Sequence, residues 1–244
     1  MIHRSIAIGP PENKETPRMP KFDRVKALAF DYYGTIADKT SLAAEIDTAF
    51  PGKGNAFVKL WFAQTQRYCF QNGMMERHIP WSELVKAAFK FSCAELGMSV
   101  GDDLRDRWIE ADTRLPVYAE APTALPRLAA RFDLYVLSMA TPWMIEKSQA
   151  NAGIAGHFKG LISAEPFKVY KPGRAAYELG VRKIGVAADE VAFVSGNSFD
   201  VLGSKNYGDP TVWVRRYGQA LDDLGLEPDL IVKDLNEMAV SLGA

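Results

Sequence analysis

The sequence predicts an α/β fold, a parallel sheet covered by helices on both faces, with a helical domain inserted into it. Three features carry this. Short, wholly apolar runs recur with helical patterns between them, the rhythm of right-handed βαβ units. Those runs lack polar alternation, as strands buried on both faces do. One long stretch, 38–117, shows helical periodicity and no convincing strand.

The first apolar run, 25–30, ends on Asp31, and Gly34 then lets the chain turn. In open α/β sheets ligands sit outside the carboxyl ends of the strands. Asp31 is thereby placed at the mouth of a cleft. A carboxylate there either attacks carbon or phosphorus as a nucleophile or simply caps the next turn. The insertion follows. Leu60, Trp61, Gln64 and Tyr68 share helical spacing, as do Leu84, Ala87, Ala88, Phe91 and Leu96, then Leu104, Trp108 and Ile109. Gly52, Gly54, Gly73, Gly97 and Gly101 read as breaks, so about four helices are expected. From 118 onward, strands at 134–137, 160–162, 191–194, 211–214 and 230–232 alternate with helices near 122–131, 142–152, 173–185, 199–207 and 235–242.

Composition narrows the classes. The 244 residues are 48% hydrophobic, enough for one large core or a core with an inserted domain. A formal net charge of -1 implies no nucleic-acid partner. Two cysteines, Cys69 and Cys93, are too few for a disulfide framework, and a reduced, cytoplasmic setting is expected. No apolar run approaches the ~18–20 residues that span a bilayer, so no membrane partner is expected. Residues 1–21, with Pro10, Pro11, Pro17 and Pro20 among charges, read as a flexible extension rather than a secretory signal.

Polar residues follow the apolar strands directly. Asp31 follows the first; Ser138 follows Tyr135-Val136-Leu137; Lys171 lies in the loop after the third; Ser195, Asn197 and Asp200 follow Val191-Ala192-Phe193-Val194. In a parallel sheet these strand ends share one edge. Two carboxylates there would repel, and a lysine between them keeps Asp31 ionised. Ser138 and Asn197 can donate hydrogen bonds to a substrate or to Asp31. Tyr177, six residues past Lys171, can point back toward the cleft. Each residue alone has a plainer reading as a cap, turn or core residue; their joint order is what argues for a site.

The Phe-Asp-x-x-Gly-Thr start, Leu137-Ser138, Lys171-Pro172 and Ser195-x-Asn197-x-x-Asp200 resemble, in order, the four motifs of the haloacid dehalogenase superfamily. The resemblance covers about 22–243. Within it the chain is most similar to the type II L-2-haloacid dehalogenases, through Asp31-x-Tyr33-Gly34-Thr35, Val169-Tyr170-Lys171-Pro172 with Tyr177, and Leu60-Trp61 with Tyr68. This implies a Rossmann-like core at 22–37 and 118–244, a helical cap at 38–117, and a homodimer. Trp61, Phe70 and Trp81 could serve such an interface, though they more readily pack the cap's own core.

The implied catalytic residues are Asp31, Thr35, Ser138, Lys171, Tyr177, Ser195, Asn197 and Asp200. The implied substrate contacts are Tyr32, Tyr33, Phe62, Met139 and Phe199. By resemblance, Asp31 displaces halide from a short 2-haloacid, and water hydrolyses the resulting ester to a 2-hydroxy acid, with no cofactor and no metal. The phosphatase branch usually carries an acid two residues after the nucleophile, where this chain has Tyr33, and extra acids for Mg²⁺ near the last motif, where it has Ser195-Gly196-Asn197-Ser198-Phe199-Asp200.

The chain departs from the dehalogenases twice. Their cap arginine after the Leu-Trp pair, which helps receive the halide, is Phe62 here, and the asparagine after Leu-Ser is Met139. Gln66 lies on the helix face of Phe62; Arg67 points elsewhere. Two further readings therefore stay open: a related hydrolase with another substrate, and a catalytically idle binding protein.

Overall fold

The computed structural model describes residues 20–244; of the expected extension, 1–19 lie outside the described residues, and Pro20–Phe22 form a single 3-10 turn. Six parallel strands build the sheet: β1 (Ala27–Phe30), β2 (Asp133–Ser138), β3 (Gly160–Ser163), β4 (Val191–Ser195), β5 (Thr211–Val214) and β6 (Leu230–Val232). Their order is β3-β2-β1-β4-β5-β6, so the chain leaves the centre in one direction and later returns to fill the other side. The crevice where the order reverses lies at the carboxyl end of β1, the usual ligand position.

Side-chain alternation divides β1 between two cores. Leu28 and Phe30 pack on one face, with Leu125 and Leu128 of α5 (Ala121–Ala129), Met144 and Ile145 of α6 (Pro142–Asn151), and Leu235 and Met238 of α9 (Leu235–Ser241). Ala27 and Ala29 pack on the other, with Tyr177 and Leu179 of α7 (Arg174–Ile184) and Phe193 of β4. The small side chains of β1 on that second face leave room for the tyrosine ring. The remaining core helix, α8 (Ser198–Tyr207), starts directly after β4 and packs on α7.

Between β1 and β2 lie four helices: α1 (Leu42–Ala49), α2 (Gly54–Met74), α3 (Trp81–Glu95) and α4 (Asp102–Asp112). Phe57, Trp61, Phe89 and Trp108 form their common centre, with ring centroids 5.2–6.2 Å apart. Trp61 is buried there, its indole N–H donating to the Val85 carbonyl at 2.9 Å. Gly54 is needed where α2 crosses α1, because a Cβ would lie 2.0 Å from the Ala43 carbonyl oxygen. Gly73 lies in the last turn of α2, which ends at Met74, so the break between α2 and α3 falls where the sequence places it. Among the described residues no helix is long and apolar enough to cross a membrane.

Candidate active site

The register places the site. Phe30 lies opposite Val136 on one side and Val194 on the other, so the next residue, Asp31, stands level with the ends of β2 and β4. Its amide N–H donates to the Val194 carbonyl at 2.9 Å, fixing the backbone while the side chain leaves the sheet. Gly34 then turns the chain at φ +82°, a conformation open to glycine at little cost.

Lys171 sits between the two carboxylates. Its Nζ donates to Asp31 Oδ1 at 3.3 Å, Asp200 Oδ2 at 2.9 Å and the Leu137 carbonyl at 2.7 Å. Lys171 is 1% exposed, so this threefold pairing is what makes its burial tolerable. The point between Asp31 and Asp200 is held by the ammonium group, so the two carboxylates do not fit a shared divalent ion. Among the described residues no group of three or more His, Cys, Asp or Glu comes together as a metal site.

The other oxygen of Asp31, Oδ2, accepts from Asn197 Nδ2 at 2.7 Å, Thr35 Oγ1 at 3.2 Å and Ser195 Oγ at 3.3 Å. Thr35 and Ser195 are themselves oriented by the backbone, accepting from the N–H groups of Gly196 at 2.8 Å and Asn197 at 3.0 Å. Asp200 lies behind Lys171 rather than in the cleft. Its two oxygens take Lys171 and the Tyr177 hydroxyl, the latter at 2.8 Å. Burial pushes the Asp200 carboxyl up, against the pull of Lys171, and Asp31 adds to the rise.

In front of Asp31 is a pocket of about 20 Å³ lined by Tyr33, Lys39, Phe62, Gln66, Trp81, Ser138, Met139, Asn197 and Phe199. Tyr33 stacks on Trp81, with centroids 6.2 Å apart and planes at 15°. The cap helices are tied down here: Glu165 Oε2 accepts from the Trp81 backbone N–H at 2.7 Å and from Thr141 Oγ1 at 2.9 Å, and Tyr170 Oη both accepts from and donates to the Ile79 backbone.

Two expected residues fall elsewhere. The Tyr32 side chain does not reach the pocket; it is fully buried and donates to Ser148 Oγ at 2.8 Å, because successive residues of an extended chain face opposite ways. Tyr177 reaches the site through Asp200 and does not line the pocket. The sequence reading missed Lys39 and Glu165 altogether. Lys39 had a signal: it stands eight residues past Asp31, in a loop leaving the sheet at its ligand edge. Glu165 had none beyond its loop position after β3.

The sequence model of the haloacid dehalogenase-like hydrolases matches residues 25–208, spanning β1 to α8 and every side chain that touches Asp31. The chain belongs to that family. Among relatives, an (S)-2-haloacid dehalogenase of Pseudomonas sp. (strain YL) is 33% identical over 87% of this chain and 92% of its own. A haloacetate dehalogenase of Moraxella sp. (strain B) is 33% identical over 86% of this chain and 94% of its own. The crystal structure of the Xanthobacter autotrophicus L-2-haloacid dehalogenase with chloropropionic acid covalently bound matches with a TM-score of 0.84 at 27% identity, over 90% of this chain and 99% of that one.

Among the buried groups of this hydrolase without a hydrogen-bond partner among the described residues, Asp112 is the one carboxylate with both oxygens unpaired. Burial pushes its carboxyl up to about 7, with Lys39 pulling the other way. In the unfolded chain an aspartate releases its proton near ~3.9, whereas folded Asp112 holds it until about 7. Folding stability therefore falls as pH rises across that window, by up to ~4 kcal/mol. Asp112→Asn is expected to remove this slope. Unfolding curves at pH 4 and pH 8 should show the variant gaining on the parent toward high pH; a pH-independent difference would contradict it.

Proposed function

We propose that this chain is a hydrolase of carbon-halide bonds that converts a short L-2-haloacid to the D-2-hydroxy acid through an ester on Asp31. The observation that carries the reading is the unequal solvation of the two Asp31 oxygens. Oδ2 is saturated by three donors, while Oδ1 has one contact, with Lys171 at 3.3 Å, and keeps a lone pair for the pocket. Oδ1 attacks the halogen-bearing carbon from the side opposite the halide, inverting it. Asp31 becomes an ester and halide leaves as an anion.

Ester formation turns Oδ2 into a carbonyl oxygen. Water then attacks the carbonyl carbon, and negative charge develops on Oδ2. Asn197, Thr35 and Ser195 are already aimed at that atom, so the site meets the new charge without reorganising. Loss of the Asp31 charge leaves Lys171 paired with Asp200 alone. The attacking water passes its proton to Lys171 Nζ as that group hands one on to Asp200, with Asn197 orienting the water and Tyr177 holding the Asp200 carboxyl. Collapse breaks the acyl–oxygen bond between the Asp31 carbonyl carbon and Oδ1; the alkoxide recovers the proton held on Asp200 and leaves as the hydroxy acid, and Asp31 gives up the water's other proton to return as the carboxylate. The proton passes to solvent.

The substrate carboxylate is received by the Ser138 hydroxyl at the end of β2. Tyr33, Phe62, Met139 and Phe199 form the apolar wall. The free space is about one water's worth, so a short acid is favoured and the helices of the cap, 38–117, must part to admit it. The names of the relatives and the covalently bound chloropropionic acid of the Xanthobacter enzyme support the same chemistry.

The test is halide release from L-2-chloropropionate and bromoacetate with EDTA present. Release with formation of D-lactate from the first substrate is expected, unchanged by EDTA. No release from either acid, or release that EDTA abolishes, would contradict the reading.

A further inference from the structure

The departing halide is a new negative charge in a nearly closed pocket, and the family's usual cation beside it is replaced by Phe62. Lys171 cannot take its place, since all three of its N–H bonds are committed to Asp31, Asp200 and the Leu137 carbonyl. Among the described residues lining the pocket, the one cation is Lys39.

Its position suits the task. The Lys39 stem runs across Gly34 so closely that a Cβ there would lie 2.5 Å from its Cε. The ammonium then hangs over the Phe62 ring, 4.9 Å from the centroid. Its one hydrogen bond among the described residues is to Asn197 Oδ1 at 3.4 Å, which leaves two N–H bonds uncommitted. The same Asn197 amide donates to Asp31 through Nδ2, so Lys39 is one amide's width from the nucleophile, within reach of a substrate held there. Half-buried, the ammonium is pulled below the usual lysine range by desolvation, while Asp31, Asp112 and Asp200 hold it charged.

The backbone carrying it is held at the junction of 38–117 with the sheet domain. Asp38 caps the turn at Lys39–Ser41 by accepting from the Thr40 N–H at 2.9 Å, and the Asp38 N–H donates to the Pro116 carbonyl at 2.8 Å. The cation therefore sits where the chain enters and leaves 38–117, beside Asn197 of the core. Trp81 also lines the pocket, and its buried indole N–H has no acceptor among the described residues.

We propose that Lys39 is the catalytic cation that receives the departing halide, in place of a cap arginine. The proposal rests on the haloacid reading above. As Asp31 Oδ1 forms its bond to carbon, the carbon–halogen pair leaves as halide against the Lys39 ammonium. No proton moves in this step. Leaving-group stabilisation matters most for the least stable anion, so the contribution of Lys39 grows from bromide to chloride to fluoride.

The test uses the full chain and Lys39→Met, which keeps the stem over Gly34, with Lys39→Arg as a second variant that keeps the charge. Rapid-quench mass spectrometry separates ester formation on Asp31 from its hydrolysis. Lys39→Met should slow ester formation on the order of 10²-fold, more for 2-chloro- than 2-bromopropionate, with hydrolysis unchanged and Lys39→Arg partly restored. An equal loss in both steps would make Lys39 a positioning residue for Asn197, and a rise in KM equal for all halogens would make it a carboxylate contact; either overturns the proposal. Crystals soaked in bromide give a readout independent of turnover. An anomalous peak beside Lys39 Nζ, lost in Lys39→Met, is expected even if the parent proves inactive on haloacids, and its absence from the parent would overturn the assignment.

Discussion

Asp31→Asn should abolish halide release, by on the order of 10⁴-fold or more. The amide has the size of the carboxylate but no anionic oxygen to attack carbon. The fold should survive, because Lys171 keeps Asp200 and the Leu137 carbonyl as partners. Circular dichroism and a thermal melt separate this from unfolding. A variant that retained more than ~1% of parental turnover, well above the residual rate left by other nucleophile deletions, would show that Asp31 is not the nucleophile.

Lys171→Met should be nearly as severe, for an electrostatic reason. The variant fills the same space but leaves Asp31 and Asp200 on either side of an uncharged chain. Two carboxylates with no cation between them cannot both stay ionised in a buried site. Burial already pushes the Asp200 carboxyl up against the pull of Lys171; without that pull it rises further and no longer takes the water's proton at neutral pH. A turnover loss on the order of 10³-fold and a destabilisation of about 3–5 kcal/mol are expected. Steady-state kinetics and denaturant unfolding check the two effects. A loss below tenfold would mean that the ammonium plays no part in orienting Asp31, contrary to the geometry.

Much of the core was readable before any coordinates. The apolar runs ending on Asp31, Ser138 and Ser195 announced both the strands and the edge where they end, because a buried parallel strand has no polar alternation and its exit does. The helix expected over 173–185 is observed as Arg174–Ile184, and the four helices of 38–117 are present. What escaped was set by tertiary packing. Tyr32 and Tyr33 are neighbours of identical type, and only their alternation about the extended chain sends one to the pocket and the other to Ser148. Applying that alternation to the sequence would have separated them. Lys39 belongs to no periodic element, and its place over Phe62 depends on how the turn after Gly34 folds back. Asp112 closes a polar helix, and nothing in its local sequence marks it as buried.

The most direct measurement is a single turnover in H₂¹⁸O with enzyme in excess over L-2-chloropropionate. If Oδ1 of Asp31 attacks carbon and water attacks the Asp31 carbonyl, the first hydroxy acid carries an unlabelled oxygen from the protein, and the peptide containing Asp31 gains ¹⁸O. A labelled product with an unlabelled Asp31 would mean that water attacks the substrate directly and would contradict the account.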